Sequence, residues 1–173
     1  WSDQLPDEVS DIYNADEYKR SQQYERTKHY FSFFTSSFSF VLILLMLLFA
    51  GFAFVDEIAR EIATNTLFIT LVFFGILFFA SDILGTPFSV YGTFVIEEKF
   101  GFNKTTPKIF VLDKIKSWFL TVLLGGGILS LVVWFYLRTT SMFWFYTWLL
   151  VSGFTIFMTM FYSNLIVPLF NKQ

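Results

Sequence analysis

Any reaction on this chain would depend on its few titratable side chains. A zinc hydrolase needs two histidines one helical turn apart, a glutamate as general base and a further ligand. The sequence holds one histidine, His29, and no H-E-x-x-H run. It has no cysteine, which removes thiolate metal sites and a disulfide framework. There is no G-x-S-x-G nucleophile turn and no glycine-rich phosphate loop. Glu97 and Glu98 are adjacent, so on a helix they point to different faces and do not form an acid/base pair of the glycosidase kind. Gly125-Gly126-Gly127 sits inside an apolar run, where it cannot cradle phosphates; it reads as a place of close helix packing, or as a kink. No catalytic residue and no metal ligand is therefore assigned, and His29 reads as a solvated histidine of a surface arm. The remaining polar residues of interest are Asp82, Glu97, Glu98 and Asn103.

The elements that would position them are membrane helices. The 173 residues are 55% hydrophobic and 23% aromatic, with 26 Phe. Charged residues make up 15%, against about 25% in a soluble domain. The apolar residues fall in long blocks, the pattern of a bilayer-spanning chain. The expected fold is all-α: a polytopic membrane protein with four transmembrane helices plus amphipathic surface helices. The spans are expected at about 30–55, 62–84, 117–137 and 142–167. A polar arm, 1–29, precedes the membrane domain, 30–173, and a loop, 85–116, divides the spans into pairs. The net charge of −2 and the absence of a long basic groove argue against a nucleic-acid partner; the lipid bilayer is the implied one. The chain begins at Trp1 without Met, which suggests a fragment of a longer protein, and the residues present contain no signal peptide.

In the arm, Pro6 with Asp7 and Glu8 suits a helix start, followed by a stripe of Val9, Ile12 and Tyr13. Asn14 with Glu17 suits a second start. Such an arm is either a solvated amphipathic helix at the membrane surface or a docking element for another domain. Ser32, Thr35, Ser36, Ser37 and Ser39 crowd the start of the first span, where they can bond backbone carbonyls or a neighbouring helix. Asp82 stands one turn before Pro87; at a helix end its carboxylate reaches the interface, and only a deeper position would make it functional.

Pro87 lacks an amide hydrogen and disfavours helix at Thr86, so it is expected to end the second span. The chain from Phe88 to Lys99 can be helical again, with Phe88, Tyr91, Val95, Glu98 and Phe102 on one side. Gly101, between two phenylalanines, reads as a turn needing positive φ. Thr106 and Pro107 read as N-cap and first residue of a new helix, and Arg138 to Ser141 as a tight turn. Trp144, Tyr146 and Trp148 suit an interfacial aromatic belt, and Pro168 ends the last span. Of the 12 Lys and Arg, only Arg60 and Arg138 lie on the side opposite the termini and the loop. By the positive-inside rule, the termini and loop 85–116 are expected to face the cytoplasm.

Three stretches carry a family resemblance. Thr93-Phe94-Val95-Ile96-Glu97-Glu98-Lys99-Phe100-Gly101-Phe102-Asn103 resembles the membrane region of the integral-membrane zinc metalloproteases called CAAX prenyl protease 1. Pro168-Leu169-Phe170-Asn171-Lys172 is similar to the run that closes that region, and Glu17-Tyr18-Lys19-Arg20-Ser21 with Tyr24 to the arm before its second helix. The resemblance implies a non-catalytic N-terminal membrane domain, holding the family's second to fifth helices and forming part of a water-filled chamber. It further implies zinc in the full-length parent and none in this chain, a downstream catalytic domain of the same protein as partner, and prenylated or membrane proteins as substrates. The location would be a bacterial inner membrane or the endoplasmic reticulum. On this reading Asp82, Glu97, Glu98 and Asn103 are interdomain or chamber-lining candidates. Glu98, placed on the apolar side, is expected either to meet a partner from the missing domain or simply to be wet. The alternative is a stand-alone four-span transport or scaffold protein, which would need ionisable groups near the bilayer midplane.

Overall fold

The computed structural model describes residues 14–139 and 141–170, and among these there is no strand. The expected start at Pro6, the stripe through Tyr13, Thr140 of the expected turn, and Asn171-Lys172 lie outside the described residues. Four helices are long and apolar enough to cross a bilayer: α1 (Ala15–Leu48), α3 (Thr66–Phe100), α4 (Pro107–Arg138) and α5 (Phe143–Leu165). A short helix, α2 (Gly51–Ile62), lies between α1 and α3, and α6 (Val167–Phe170) closes the chain. Most large apolar side chains are exposed within the chain, which suits surfaces that face lipid or other helices rather than a water-soluble core.

The described residues divide into two compact units, one from the chain start to Phe54 with Phe78–Thr105, the other from Val55–Leu77 with Thr106 onward. In the first, α1 begins where Asn14 caps it: the Asn14 side chain accepts from the Asp16 amide at 2.9 Å. Arm and first span are one continuous helix of 34 residues. The expected unbroken run to residue 55 is not formed. The helix stops at Phe49, and Ala50 takes a left-handed φ of 54° before α2 starts. Thr35 and Ser37 donate to the carbonyls of Ser32 and Phe33, as polar groups in a membrane helix do when no other partner is near.

Pro87 does not end a helix. It sits inside α3, which runs on through the expected loop to Phe100. Around the missing amide, Thr86 Oγ1 donates to the Asp82 carbonyl at 2.7 Å and Ser89 Oγ to the Gly85 carbonyl at 3.3 Å. The carbonyl that the missing amide leaves free is that of Ile83, and these hydroxyls bond its neighbours in the same turn. From Gly92 to Glu97 the helix widens into a π-turn. That widening changes the buried side. Ile96 and Phe100 are 5% and 6% exposed, whereas Tyr91, Val95 and Phe102 of the expected apolar face are about half exposed. Positions 88, 92, 96 and 100 stay in line because a π-turn advances by more than four residues, whereas an α-helix would rotate them apart.

In the second unit, Val55 and Ala59, one turn apart on α2, are buried. On the exposed side of α2, Arg60 Nε donates to Asp56 at 2.7 Å; that hydrogen bond, then the Asp56 charge, holds the guanidinium above its ordinary pKa. Thr106 caps α4 by accepting from the Ile109 amide, with Pro107 as first residue, as its sequence suggests. α4 carries a second π-turn at Thr121–Gly125. The expected close packing at the glycines is not made by the described residues. A Cβ on Gly126 or Gly127 would meet nothing within 4 Å, and one on Gly125 only Thr121 of the same helix. Instead Gly125 is the last residue of the π-turn, and Gly126 and Gly127 open the α-helical stretch that follows it. α4 and α5 pack through Phe135 on Tyr146 and Tyr136 on Phe143, with ring centroids 5.7 and 5.4 Å apart. Lys116 pairs with Asp113 at 3.0 Å and lies over the Phe170 ring.

Candidate functional site

Of the polar residues singled out above, Glu97, Glu98 and Asn103 gather at the end of α3, in the first unit; Asp82 does not. Gly101, at φ 76° and ψ 21°, turns the chain left-handed and ends the helix. Its amide donates to the Glu98 carbonyl, and the Phe102 and Asn103 amides donate to the Glu97 carbonyl. This is the Schellman arrangement, which bonds the last free carbonyls of a helix. Phe100 stays under the turn and Phe102 follows it, so two rings flank one tight bend.

The arm of α1 closes on that bend. Tyr24 lies between the two rings, 5.4 Å from Phe100 and 4.8 Å from Phe102. One turn earlier on α1, Arg20 Nη2 donates to the Phe100 carbonyl. A Cβ on Gly101 would stand 3.0 Å from that same nitrogen, so glycine is required both for its φ and for the room it leaves Arg20. Lys28 lies over the Tyr24 ring at 5.3 Å. The two stretches that separately resemble one family are thus halves of a single clamp.

Glu98 is exposed, not on the buried side, because the π-turn carries it round. Its partner lies within the chain: Asn103 Nδ2 donates to Glu98 Oε2 at 2.8 Å, and Asn103 Oδ1 accepts from the Thr105 amide at 2.7 Å. Asn103 therefore fixes the exit from the turn. Glu97 points elsewhere. It lines a groove of about 540 Å³ between α1 and α3, with Lys28, Ser32, Thr35 and Ser39 on one wall and Gly85, Ser89, Gly92 and Thr93 on the other. Phe31, Phe88 and Ile96 supply apolar surface there, and Phe88 meets Phe34 edge-on and Phe38 at a tilt. Sequence reasoning missed Lys28, Thr93 and Ser89 as members of this groove; the only signal was the spacing of Ser32, Thr35 and Ser39 on one face of α1.

Asp82 is half-buried and lies in the interior of α3. Its expected place at a helix end required the break at Pro87, which is absent. It stands fifteen residues before Glu97 in the sequence, about 22 Å along a helix, which is about half the thickness of a bilayer with its headgroups. Among the described residues no three His, Cys, Asp or Glu side chains stand together so as to hold a metal ion. His29 lies on α1 beside the Tyr30 ring.

Residues 1–172 match the family described as "CAAX prenyl protease N-terminal, five membrane helices". The chain is 32% identical to the CAAX prenyl protease 1 homolog of Dictyostelium discoideum over 97% of its own length and 41% of that protein. With the CAAX prenyl protease 1 homolog of Homo sapiens it shares 31% identity, over 97% of this chain and 37% of that protein. Its fold matches the crystal structure of S. mikatae Ste24p with a TM-score of 0.88 and 31% identity, over 98% of this chain and 41% of that one. The chain thus spans about two fifths of the length of the relatives it matches.

Proposed function

Because this chain belongs to the family of N-terminal membrane regions of CAAX prenyl proteases, a multi-pass integral membrane domain, we propose that it is the non-catalytic membrane part of a zinc metalloendopeptidase. In this reading its helices form part of the membrane chamber that houses substrate. Zinc belongs to the full-length parent, held by a downstream catalytic domain of the same protein, and the substrates are prenylated or membrane proteins. The termini and the turn after α3 face the cytoplasm, in keeping with the bias of Lys and Arg. Asp82, midway along α3, is suited to line an aqueous chamber; Glu98, exposed at the end of α3, and its half-buried partner Asn103 are suited to meet the catalytic domain.

The observation that carries the reading is the clamp of Arg20 and Tyr24 on Phe100–Phe102, because it gives the family's two separate stretches one joint structural purpose. The test is a chimera in which this chain replaces the matching region of S. mikatae Ste24p. The chimera is expected to hold one zinc and to cleave a farnesylated CAAX peptide, while the isolated chain in detergent does neither. A chimera that inserts, folds and holds zinc yet fails to cleave would overturn the reading. So would one tightly held zinc in the isolated chain.

A further inference from the structure

The groove between α1 and α3 meets the clamp at Tyr24 and runs on beyond it, and its chemistry is graded along its length. On α1 it runs from Tyr24 to Ser39, fifteen residues, about 22 Å along the helix axis. That is about one leaflet of a bilayer, headgroup included. Charge is confined to one end. Lys28 comes two residues before the charge-free stretch of α1, and Glu97 follows immediately on that of α3, so both stand at headgroup level. Beyond them the lining is hydroxyl, glycine and ring: Ser32, Phe31, Gly92, Phe88, Gly85 and Ser39. The glycines and serines keep the floor open, and about 540 Å³ lies within the usual range of small-molecule sites, about 300–1,000 Å³.

The two charges are not spent on each other. Among the described residues Lys28 makes a cation–π contact with Tyr24 and no ion pair, and the half-buried Glu97 carboxylate accepts no hydrogen bond. A groove that carries an ammonium and a carboxylate in one lining, both at its charged end, with an uncharged slot beyond them, complements a molecule with a phosphate, an amine and one long hydrocarbon chain. We propose that this groove binds a single zwitterionic phospholipid. The phosphate meets Lys28, the amine meets Glu97, and one acyl chain runs between Phe31 and Phe88 towards Gly85 and Ser39. A phosphoglycerol lipid would satisfy Lys28 with the same phosphate but offer Glu97 no ammonium. The site concerns this chain alone and does not rest on the protease reading.

The test uses the whole chain in nanodiscs of equal phosphatidylethanolamine and phosphatidylglycerol, extracted into mild detergent and weighed by native mass spectrometry. The expected result is one retained lipid per chain, with phosphatidylethanolamine favoured about fivefold, the scale of one interfacial ion pair. Glu97→Gln should bring the preference close to one while retention persists. Lys28→Met should lower retention of both lipids. Ser39→Trp, at the far end and away from both charges, should lower retention without changing lipid preference in what remains. Helical content and thermal stability are recorded for each variant. Should a variant lose its helical signal, the wild-type chain is instead titrated with a short-chain phosphoethanolamine lipid against its phosphoglycerol counterpart, where the same preference is required. Equal retention of the two lipids by the wild-type chain would overturn the proposal, as would a preference unchanged by Glu97→Gln. A farnesylated peptide with a free C-terminal carboxylate that displaces the lipid, and does so more readily in the Glu97→Gln variant, would assign the groove to that peptide and also overturn it.

Discussion

Gly101→Ala tests the clamp at its tightest point, and the structure separates the cost into two parts. The first is conformational: an L-residue held at φ 76° costs about 1–2 kcal/mol, whatever surrounds it. The second is steric. The new Cβ would stand 3.0 Å from Arg20 Nη2, the atom that donates to the Phe100 carbonyl. Arginine is flexible and moves away, but it then loses a hydrogen bond with a charged donor, worth about 1 kcal/mol at this partly buried position. Gly101→Ala should therefore destabilise the chain by about 2–3 kcal/mol, the sum of these parts. In an Arg20→Met background the second part is already gone, and the same substitution should cost only about 1–2 kcal/mol. Gly101→Asn should fall between glycine and alanine, because asparagine tolerates the left-handed region better while adding the same Cβ. Reversible unfolding in mixed micelles, followed by the helical signal, measures all three. If Gly101→Ala costs the same with and without Arg20, to within about 0.3 kcal/mol, Arg20 and Gly101 are independent and the clamp as described is wrong.

The other expectations follow from single elements. Thr105→Cys and Thr139→Cys flank α4, a 32-residue helix, so an impermeant maleimide should label them from opposite sides of the membrane; labelling from one side would mean that α4 does not cross. With no native Cys the background is clean. Pro87→Ala should keep the helical content and raise stability by up to about 3 kcal/mol, since the helix already passes through this position; a loss of stability would show that the proline geometry itself is needed. Glu98→Gln keeps an oxygen for Asn103 Nδ2 and should change the stability of the isolated chain by less than about 0.5 kcal/mol, whereas Glu98→Ala should cost about 1 kcal/mol in thermal or denaturant unfolding. Equal costs would mean that the Asn103 contact contributes nothing.

The amino-acid sequence by itself determined that this is a membrane protein of four long apolar helices, because twenty or so uncharged residues in a row have few other stable solutions. It also determined features that depend on one residue and its neighbours: the cap at Asn14, the Thr106-Pro107 start of α4 and the left-handed turn at Gly101. Local rules failed where a helix could satisfy itself by other means. Pro87 reads as a stop, but a span buried in lipid continues past one missing hydrogen bond rather than expose a broken end. The break at Phe49-Ala50 carries no sequence signal strong enough to outweigh the apolar run around it. The face of α3 was misread because apolar periodicity assumes 3.6 residues per turn, and the π-turn at Gly92–Glu97 shifts every residue after it. For that reason Glu98 finds Asn103 at the surface, Ile96 and Phe100 turn inward, and Glu97 comes to share a groove with Lys28. The pairing of Arg20 and Tyr24 with a turn some eighty residues away was likewise beyond any spacing rule, since only the packing of α1 against α3 brings the two together.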